Sequence, residues 1–374
     1  MIGFYKALRG TFRSGIAFGG LLLCFAMVAP PMPASAQDTP ADADLPEEAI
    51  LAEDIGVLAR LPIDIINNRV HVTLDVNGTP VTMLLDTGAS TSVLFKNPGL
   101  PESTLRAGKS IDINFPAFRT ATTGYRLSSV EFTAGDFRFT SHNTLYIDNR
   151  DEISSDLSFK IEGILGRDFF KAYIIEVIPS KQTMAIIQPG STIGDRFKYR
   201  HKLYMDGDTP YLLHRSRLPW EPHPSSKKLL LDTGYPGGIV LWDTGHFNRA
   251  TDPGEREEML ANNQGVIYYG IIKFGRLLFK NIPIFIGPHA PEKTDDREGI
   301  IGASMLLPFR YAVDLNRESL WLNPRVRSFN DAYQISNKVI YTPGNEDFKV
   351  KDFPPRISAT PTIVLRRDTE VVPD

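Results

Sequence analysis

A mainly β fold, with two similar barrel-like lobes made by internal duplication and only short helices, is predicted by three observations in this 374-residue chain. First, a motif recurs. Val81-Thr-Met-Leu-Leu-Asp86-Thr87-Gly88-Ala-Ser and Lys228-Leu-Leu-Leu-Asp232-Thr233-Gly234-Tyr-Pro-Gly each run an apolar strand into Asp-Thr-Gly. Second, another apolar run follows each copy, Ser92-Val-Leu-Phe95 and Gly238-Ile-Val-Leu-Trp242, so both read as strand, turn, strand. Third, each carboxylate is followed downstream by a Gly-apolar-apolar-Gly element, Gly163-Ile-Leu-Gly166 and Gly299-Ile-Ile-Gly302, and residues 163–187 then align without a gap on 299–323. The offset is 146 residues at the carboxylates and 136 at the Gly elements. The first lobe thus carries about ten extra residues between its motifs, which a surface loop absorbs at little cost.

In chain order, Lys6, Arg9 and Arg13 precede an apolar stretch from Gly15 to Ala29, and Ala34-Ser35-Ala36 supplies small residues for cleavage. Residues 1–36 therefore read as a secretory signal peptide. The alternative is a membrane anchor, but about 15 apolar residues fall short of the 18 or more of a spanning helix. The only cysteine, Cys24, leaves with that stretch. The mature chain then has no thiol or disulfide and depends on packing, a pattern that points to a periplasm or to secretion. Removing three positive residues takes the formal net charge from −3 to about −6. Nothing in that balance suggests nucleic acid as a partner, and Lys198-Tyr-Arg-His-Lys202 reads as solvated surface.

Residues 37–60 are acidic at first and rich in Ala and Pro, and read as a linker or pro-segment. The first lobe is assigned to 61–192. Ile63-Asp-Ile-Ile and Arg69 to Val76 alternate, and Asn77-Gly78 marks a tight hairpin into Val81–Leu85. Short strands continue through Leu127–Thr133, Phe137–Thr140 and Thr144–Ile147. Helical periodicity is confined to a turn or two after Gly166, after Gly302 and around Glu255–Asn262. The second lobe, 193–324, repeats the texture, with a hairpin expected at Gly265–Gly275 and a strand at Asn281–Ile286. A Pro-rich, charged tail occupies 325–374 and is expected to be loosely held, although one apolar run, Thr362–Leu365, could add an edge strand.

The tripeptide alone proves little, since Asp-Thr-Gly arises by chance in roughly one chain in ten of this length. A third copy, Asp243-Thr244-Gly245, lies where a strand ends, and its carboxylate reads as a helix cap or turn former. Other chemistries lack support. The seven histidines show no metal-ligand spacing, and neither a Gly-x-Ser-x-Gly elbow nor a phosphate-cradling loop occurs, so no metal and no cofactor is expected.

Apolar-Asp-Thr-Gly followed by Gly-Ile-Leu-Gly in a β-rich lobe resembles the aspartic peptidases. Asn77-Gly-Thr-Pro-Val-Thr-Met-Leu-Leu-Asp-Thr-Gly-Ala-Ser is similar to the retropepsin branch, here in a two-lobed, single-chain form like the pepsins. The resemblance implies an endopeptidase of peptide or protein substrates with Asp86 and Asp232 as its catalytic pair; together with the signal-like start, the expectation is an exported enzyme acting as a monomer. Thr87, Gly88, Thr233 and Gly234 would support the two loops, the glycines by letting the backbone approach the opposite carboxylate and the threonines by hydrogen bonds to backbone. It further implies flap hairpins, for which Thr122–Tyr125 and Tyr268–Gly270 are candidates by position. The second lobe departs from the pattern at Tyr235, where the family carries Ala, Ser or Thr. Two alternatives therefore stand beside the peptidase: a non-catalytic peptide-binding protein on the same fold, and an enzyme assembled from two copies of the first lobe.

Overall fold

The computed structural model describes residues 55–97, 99–100, 109–113, 122–147, 161–217, 223–243, 248, 266–274, 277–287, 298–324 and 362–365, all within one compact unit spanning 47–374. The signal-like residues 1–36 and the stretch Glu255–Asn262 lie outside them. The fold is mainly β, as the alternation and turn signals predict.

Two tight turns start the chain. Strands β1 (Val57–Ile66) and β2 (Arg69–Val76) join through Asn67-Asn68, and β2 and β3 (Thr79–Leu85) through Asn77-Gly78. Both residues of each turn have positive φ, from 49° to 77°, the backbone that a two-residue hairpin needs and that Asn and Gly adopt most readily. Asn77-Gly78 was legible in advance; Asn67-Asn68 uses the same chemistry without the glycine. β1 opens at Val57, inside the stretch assigned to the linker. Its own pattern is weak, and pairing makes it a strand: Val57 to Pro62 lie opposite Ile187 to Thr183.

The chain continues through β4 (Val93–Phe95), β5 (Lys109–Ile113), β6 (Thr122–Arg126), β7 (Val130–Ala134), β8 (Phe137–Ser141), β9 (Leu145–Ile147), β10 (Gly163–Leu165), helix α1 (Arg167–Ala172), β11 (Ile174–Ile178) and β12 (Thr183–Ile187). Alternate residues of β2, namely Val72, Leu74 and Val76, turn inward with Val81, Met83 and Leu85 of β3. They meet Phe132, Phe139 and Phe169, whose rings lie 5.1 to 5.8 Å apart in sequence of contact. β7 returns to pair with β2, at Val76 opposite Phe132, and carries β8 on its other side, so this hairpin covers the same core.

The second half repeats the pattern with β13 (Tyr199–Lys202), β14 (Tyr204–Asp206), β15 (Thr209–Arg217), β16 (Ser225–Asp232), β17 (Ile239–Trp242), β18 (Val266–Phe274), β19 (Leu277–Gly287), β20 (Gly299–Gly302), a 3-10 turn (Ala303–Met305), β21 (Phe309–Asp314) and β22 (Ser319–Pro324). Here β15, β16, β20, β17, β19 and β18 form a ring closed by β18 on β15. The expected hairpin at Gly265–Gly275 is instead one strand, β18, paired along β19. Gly270 marks a register shift rather than a turn, the usual meaning of a lone glycine inside a strand. In the tail, β23 (Thr362–Leu365) pairs with β19, so the apolar run does add an edge strand.

Equivalent pairings recur at the two offsets. Met83, Leu84 and Leu85 run parallel to Gly163, Ile164 and Leu165, as Leu229, Leu230 and Leu231 do to Gly299, Ile300 and Ile301. Between the halves, β13, β22, β21, β11, β12 and β1 are consecutive neighbours in one sheet. Ile175 faces Val313 and Val177 faces Tyr311, so exchanging the halves at an offset of 136 reproduces the pairing. A local two-fold axis therefore passes through the central pair, Glu176 and Ala312. Glu176 is fully buried there, ion-paired to Arg310 and 3.7 Å from the guanidinium of Arg196.

Candidate active site

Parallel pairing of an apolar strand with a Gly-x-x-Gly strand brings each Asp-Thr-Gly to a defined height. Asp86 follows β3 and its N–H donates to Leu165 O at 3.0 Å; Asp232 ends β16, opposite Gly302. The turns then fold back on their own carboxylates. Asp86 Oδ1 accepts from the N–H groups of Gly88 (2.7 Å) and Ala89 (3.1 Å), and Asp232 Oδ1 from those of Gly234 (3.0 Å) and Tyr235 (2.9 Å). Two such bonds hold each carboxyl plane in place, as in an Asx turn.

Thr87 and Thr233 lock the loops together reciprocally. Thr87 Oγ1 donates to Leu231 O at 2.6 Å and Thr233 Oγ1 to Leu85 O at 2.9 Å. Each hydroxyl also accepts the other threonine's N–H, at 3.0 and 3.1 Å. Both threonines are buried, so each lost partner would leave an unpaired polar group. The sequence-derived bracing role is thus specified: the partners lie on the opposite loop, 144 to 148 residues away.

The geometry brings Asp86 and Asp232 into hydrogen-bonding contact with each other. The glycines permit it. A Cβ on Gly88 would stand 2.7 Å from the Asp232 carboxyl carbon, and one on Gly234 would overlap the Asp86 carboxyl. Gly234→Ala is therefore expected to push the carboxylates apart and lower kcat/KM at least about tenfold with a folded protein retained, since small displacements of reacting groups are costly. Steady-state kinetics alongside circular dichroism checks this.

Burial drives both carboxyl groups upward from the ordinary range. For Asp232 the neighbouring Asp86 charge and their mutual hydrogen bond add to that rise and place it well above the usual value. For Asp86 the N–H donors of Gly88 and Ala89, the bond to Asp232 and the charge of Arg167 pull the other way. Two like charges in contact cannot both ionise readily, so the pair holds one proton over a range of pH.

Arg167, whose charge is the least of the pulls on Asp86, is a residue that sequence reasoning missed. It opens α1 directly after Gly166, is buried, and its Nη1 donates to Thr87 O (3.1 Å) and Gly88 O (2.8 Å). Also missed were Glu162 and Glu298, which immediately precede the two Gly-x-x-Gly elements. Each accepts from a backbone N–H of the strand carrying an Asp, Thr82 N and Lys228 N, both at 2.9 Å. An identical Glu-Gly-Ile beginning in both repeats was the available signal.

Tyr235, the departure from the resemblance, is accounted for by length. From the carboxylate to the strand residue facing Ile164 or Ile300 there are seven residues in the first half (Asp86 to Val93) and eight in the second (Asp232 to Val240). The ring fills the resulting space beside Gly237 and Gly302, where an added Cβ would come within 2.5 Å of it. Asp243 directly follows β17, and the residues it was expected to cap lie outside the described ones. Of the flap candidates, Thr122–Tyr125 belongs to a true hairpin, β5 with β6, and Tyr125 approaches Tyr146 at 6.3 Å between ring centres. Tyr268–Gly270 lies inside β18, paired to β19, and is no hairpin tip.

Residues 72–169 match the family described as aspartyl protease. The match takes in Asp86-Thr87-Gly88, Gly163–Gly166 and Arg167, and ends before Asp232. No curated protein matches the chain. The match bears out the resemblance in the first half, while the second half's claim rests on the pairings and contacts above. Among the described residues no helix is long and apolar enough to cross a membrane, and no group of three or more His, Cys, Asp or Glu could hold a metal ion.

Proposed function

We propose that the protein is an exported aspartic endopeptidase, periplasmic or secreted, working as a monomer of two duplicated lobes, 61–192 and 193–324. The observation that carries this reading is the hydrogen-bonded pair Asp86 and Asp232 on reciprocally braced loops of one chain. Its chemistry follows from one shared proton. The ionised carboxylate takes a proton from a water molecule as the water oxygen attacks the scissile carbonyl carbon, while the protonated one gives its proton to the carbonyl oxygen. In the resulting tetrahedral diol, the proton on the first carboxyl passes to the leaving nitrogen. The C–N bond breaks, and the second carboxyl recovers a proton from a diol hydroxyl. No covalent adduct forms, and the carboxyl pair returns to its starting state.

A denatured protein substrate incubated with the purified chain at pH 3 to 8, with products identified by mass spectrometry, tests the reading. Cleavage at acid pH supports it; peptide binding without cleavage would favour a binding protein on this fold. The profile of kcat/KM against pH should be bell-shaped, because activity needs one carboxyl ionised and the other protonated. Stability should move with it. Both pKa values are raised on folding, so between the ordinary carboxylate value of 3.8 and the raised ones the folded chain binds more protons than the unfolded chain. Folding stability therefore falls as pH rises through that window. Thermal midpoints from pH 3 to 7 in wild type and Asp232→Asn should show a shallower fall in the variant.

A further inference from the structure

The two Asp-Thr-Gly loops are nearly identical in hydrogen bonding, yet they are not equal in charge. Each Asp Oδ1 accepts two N–H groups of its own turn, and each threonine serves the opposite loop. The difference lies one residue past the Gly-x-x-Gly element. In the first lobe that residue is Arg167; at the same offset of 136 the second lobe has Ala303, buried and uncharged. The backbone of both is held alike, Arg167 N to Ala89 O at 2.9 Å and Ala303 N to Tyr235 O at 2.8 Å, so the positions are true equivalents.

The Arg167 side chain turns under the first loop and donates to the carbonyls of Thr87 and Gly88, the two residues after Asp86. A buried cation fixed there favours a negative charge on the nearer carboxylate. We propose that Arg167 is a positioning residue that breaks the symmetry of the pair, making Asp86 the ionised group that deprotonates water and Asp232 the protonated group that donates to the substrate carbonyl. This inference rests on the peptidase reading and assigns the roles within it.

The other charged groups around Arg167 do not undo the assignment. Asp208, at the turn between β14 and β15, is exposed and bound to Lys171 at 2.6 Å, which neutralises it locally. Tyr211 is buried beneath the Lys228 ammonium, 4.4 Å from its ring centre. Asp168, next along α1, turns to Ser92 and Ser141, at 2.8 and 2.6 Å. Of the acidic groups that feel Arg167, Asp86 does so most strongly and Asp232 less than Asp208.

The test has two arms. In the kinetic arm, Arg167→Gln should raise the acid limb of the kcat/KM profile by about one pH unit, the size expected from losing an opposite charge at short range, while Arg167→Lys should keep the limb near that of wild type. An unmoved limb in a folded Arg167→Gln, or equal shifts in both variants, would overturn the proposal, because a purely structural role would not follow charge. The second arm needs no cleavage and no Arg167 variant. With carbonyl-labelled aspartate, NMR titration of Asp232→Asn reports Asp86 and that of Asp86→Asn reports Asp232. Asp86 should titrate at the lower pH; the reverse order would overturn the assignment. Should wild type cleave nothing, the peptidase reading fails while the order of titration still decides which carboxylate ionises first.

Discussion

Replacing Asp86 or Asp232 by Asn should each lower kcat/KM for an unfolded protein substrate by about 10³-fold or more, and the double variant should be no worse than either single one. Asn keeps the shape of the carboxyl group but can neither take nor carry the shared proton, and general acid–base catalysis of this kind is worth about 10²–10⁴ per group. Residues that act as one unit do not add, which is why the double variant falls no further. The same changes should leave folding intact. Asn retains an oxygen to accept from Gly88 and Ala89, or from Gly234 and Tyr235, and it removes one of two carboxyl groups raised by burial. Near neutral pH the thermal midpoint of either variant should match or exceed that of wild type, the usual sign of a site held together against its own electrostatics. Progress curves and differential scanning calorimetry on the same preparations give both numbers. A variant that loses activity together with fold would not bear on the chemistry.

The second large effect concerns the sheet between the halves. Glu176→Ala should cost about 3–5 kcal/mol, because it leaves two buried guanidinium groups without their carboxylate. Arg310 and Arg196 have side-chain exposures of 13 % and 6 %, and the Glu176 side chain has none, so solvent cannot replace the lost partner cheaply. In a chain of this size that is a fall of roughly 10 °C in thermal midpoint. Glu176 lies on the local two-fold axis between β11 and β21, and the variant should therefore loosen the halves from each other before either core melts. A double variant, Glu176→Leu with Arg310→Leu, should recover part of the loss, since buried ion pairs exchanged for apolar side chains of similar volume are often neutral. Thermal unfolding of the three proteins checks the order; a Glu176→Ala midpoint within a degree or two of wild type would contradict it.

Much of the fold could be read from residues whose local chemistry leaves little choice. Asn77-Gly78 had to be a turn because both positions need positive φ, and the apolar run ending in Asp86 had to be a strand because its alternate residues fill a core. The duplication could be read from an ungapped match; the parallel pairing of β3 with β10 and of β16 with β20 shows only in the structure. What could not be read depends on tertiary partners. β1 begins at Val57 only because β12 lies beside it. β18 runs through Gly270 because β19 tolerates a bulge there, whereas composition alone reads two glycines ten residues apart as hairpin ends. Arg167 was invisible for a different reason: a lone arginine after a glycine carries no signal until its guanidinium is seen beneath Thr87 and Gly88. Tyr235 looked like a threat to the second carboxylate because the one-residue insertion that makes room for its ring shows only when Val93 and Val240 are aligned through their strand partners.

The central claim is that both carboxylates belong to one chain and share one proton. A 1:1 mixture of Asp86→Asn and Asp232→Asn, assayed for cleavage of a denatured substrate over a range of protein concentrations, tests it most directly. An in-chain pair predicts a mixture as inactive as either variant at every concentration. Cleavage that returns on mixing and grows with concentration, Asp86 coming from one copy and Asp232 from another, would contradict it.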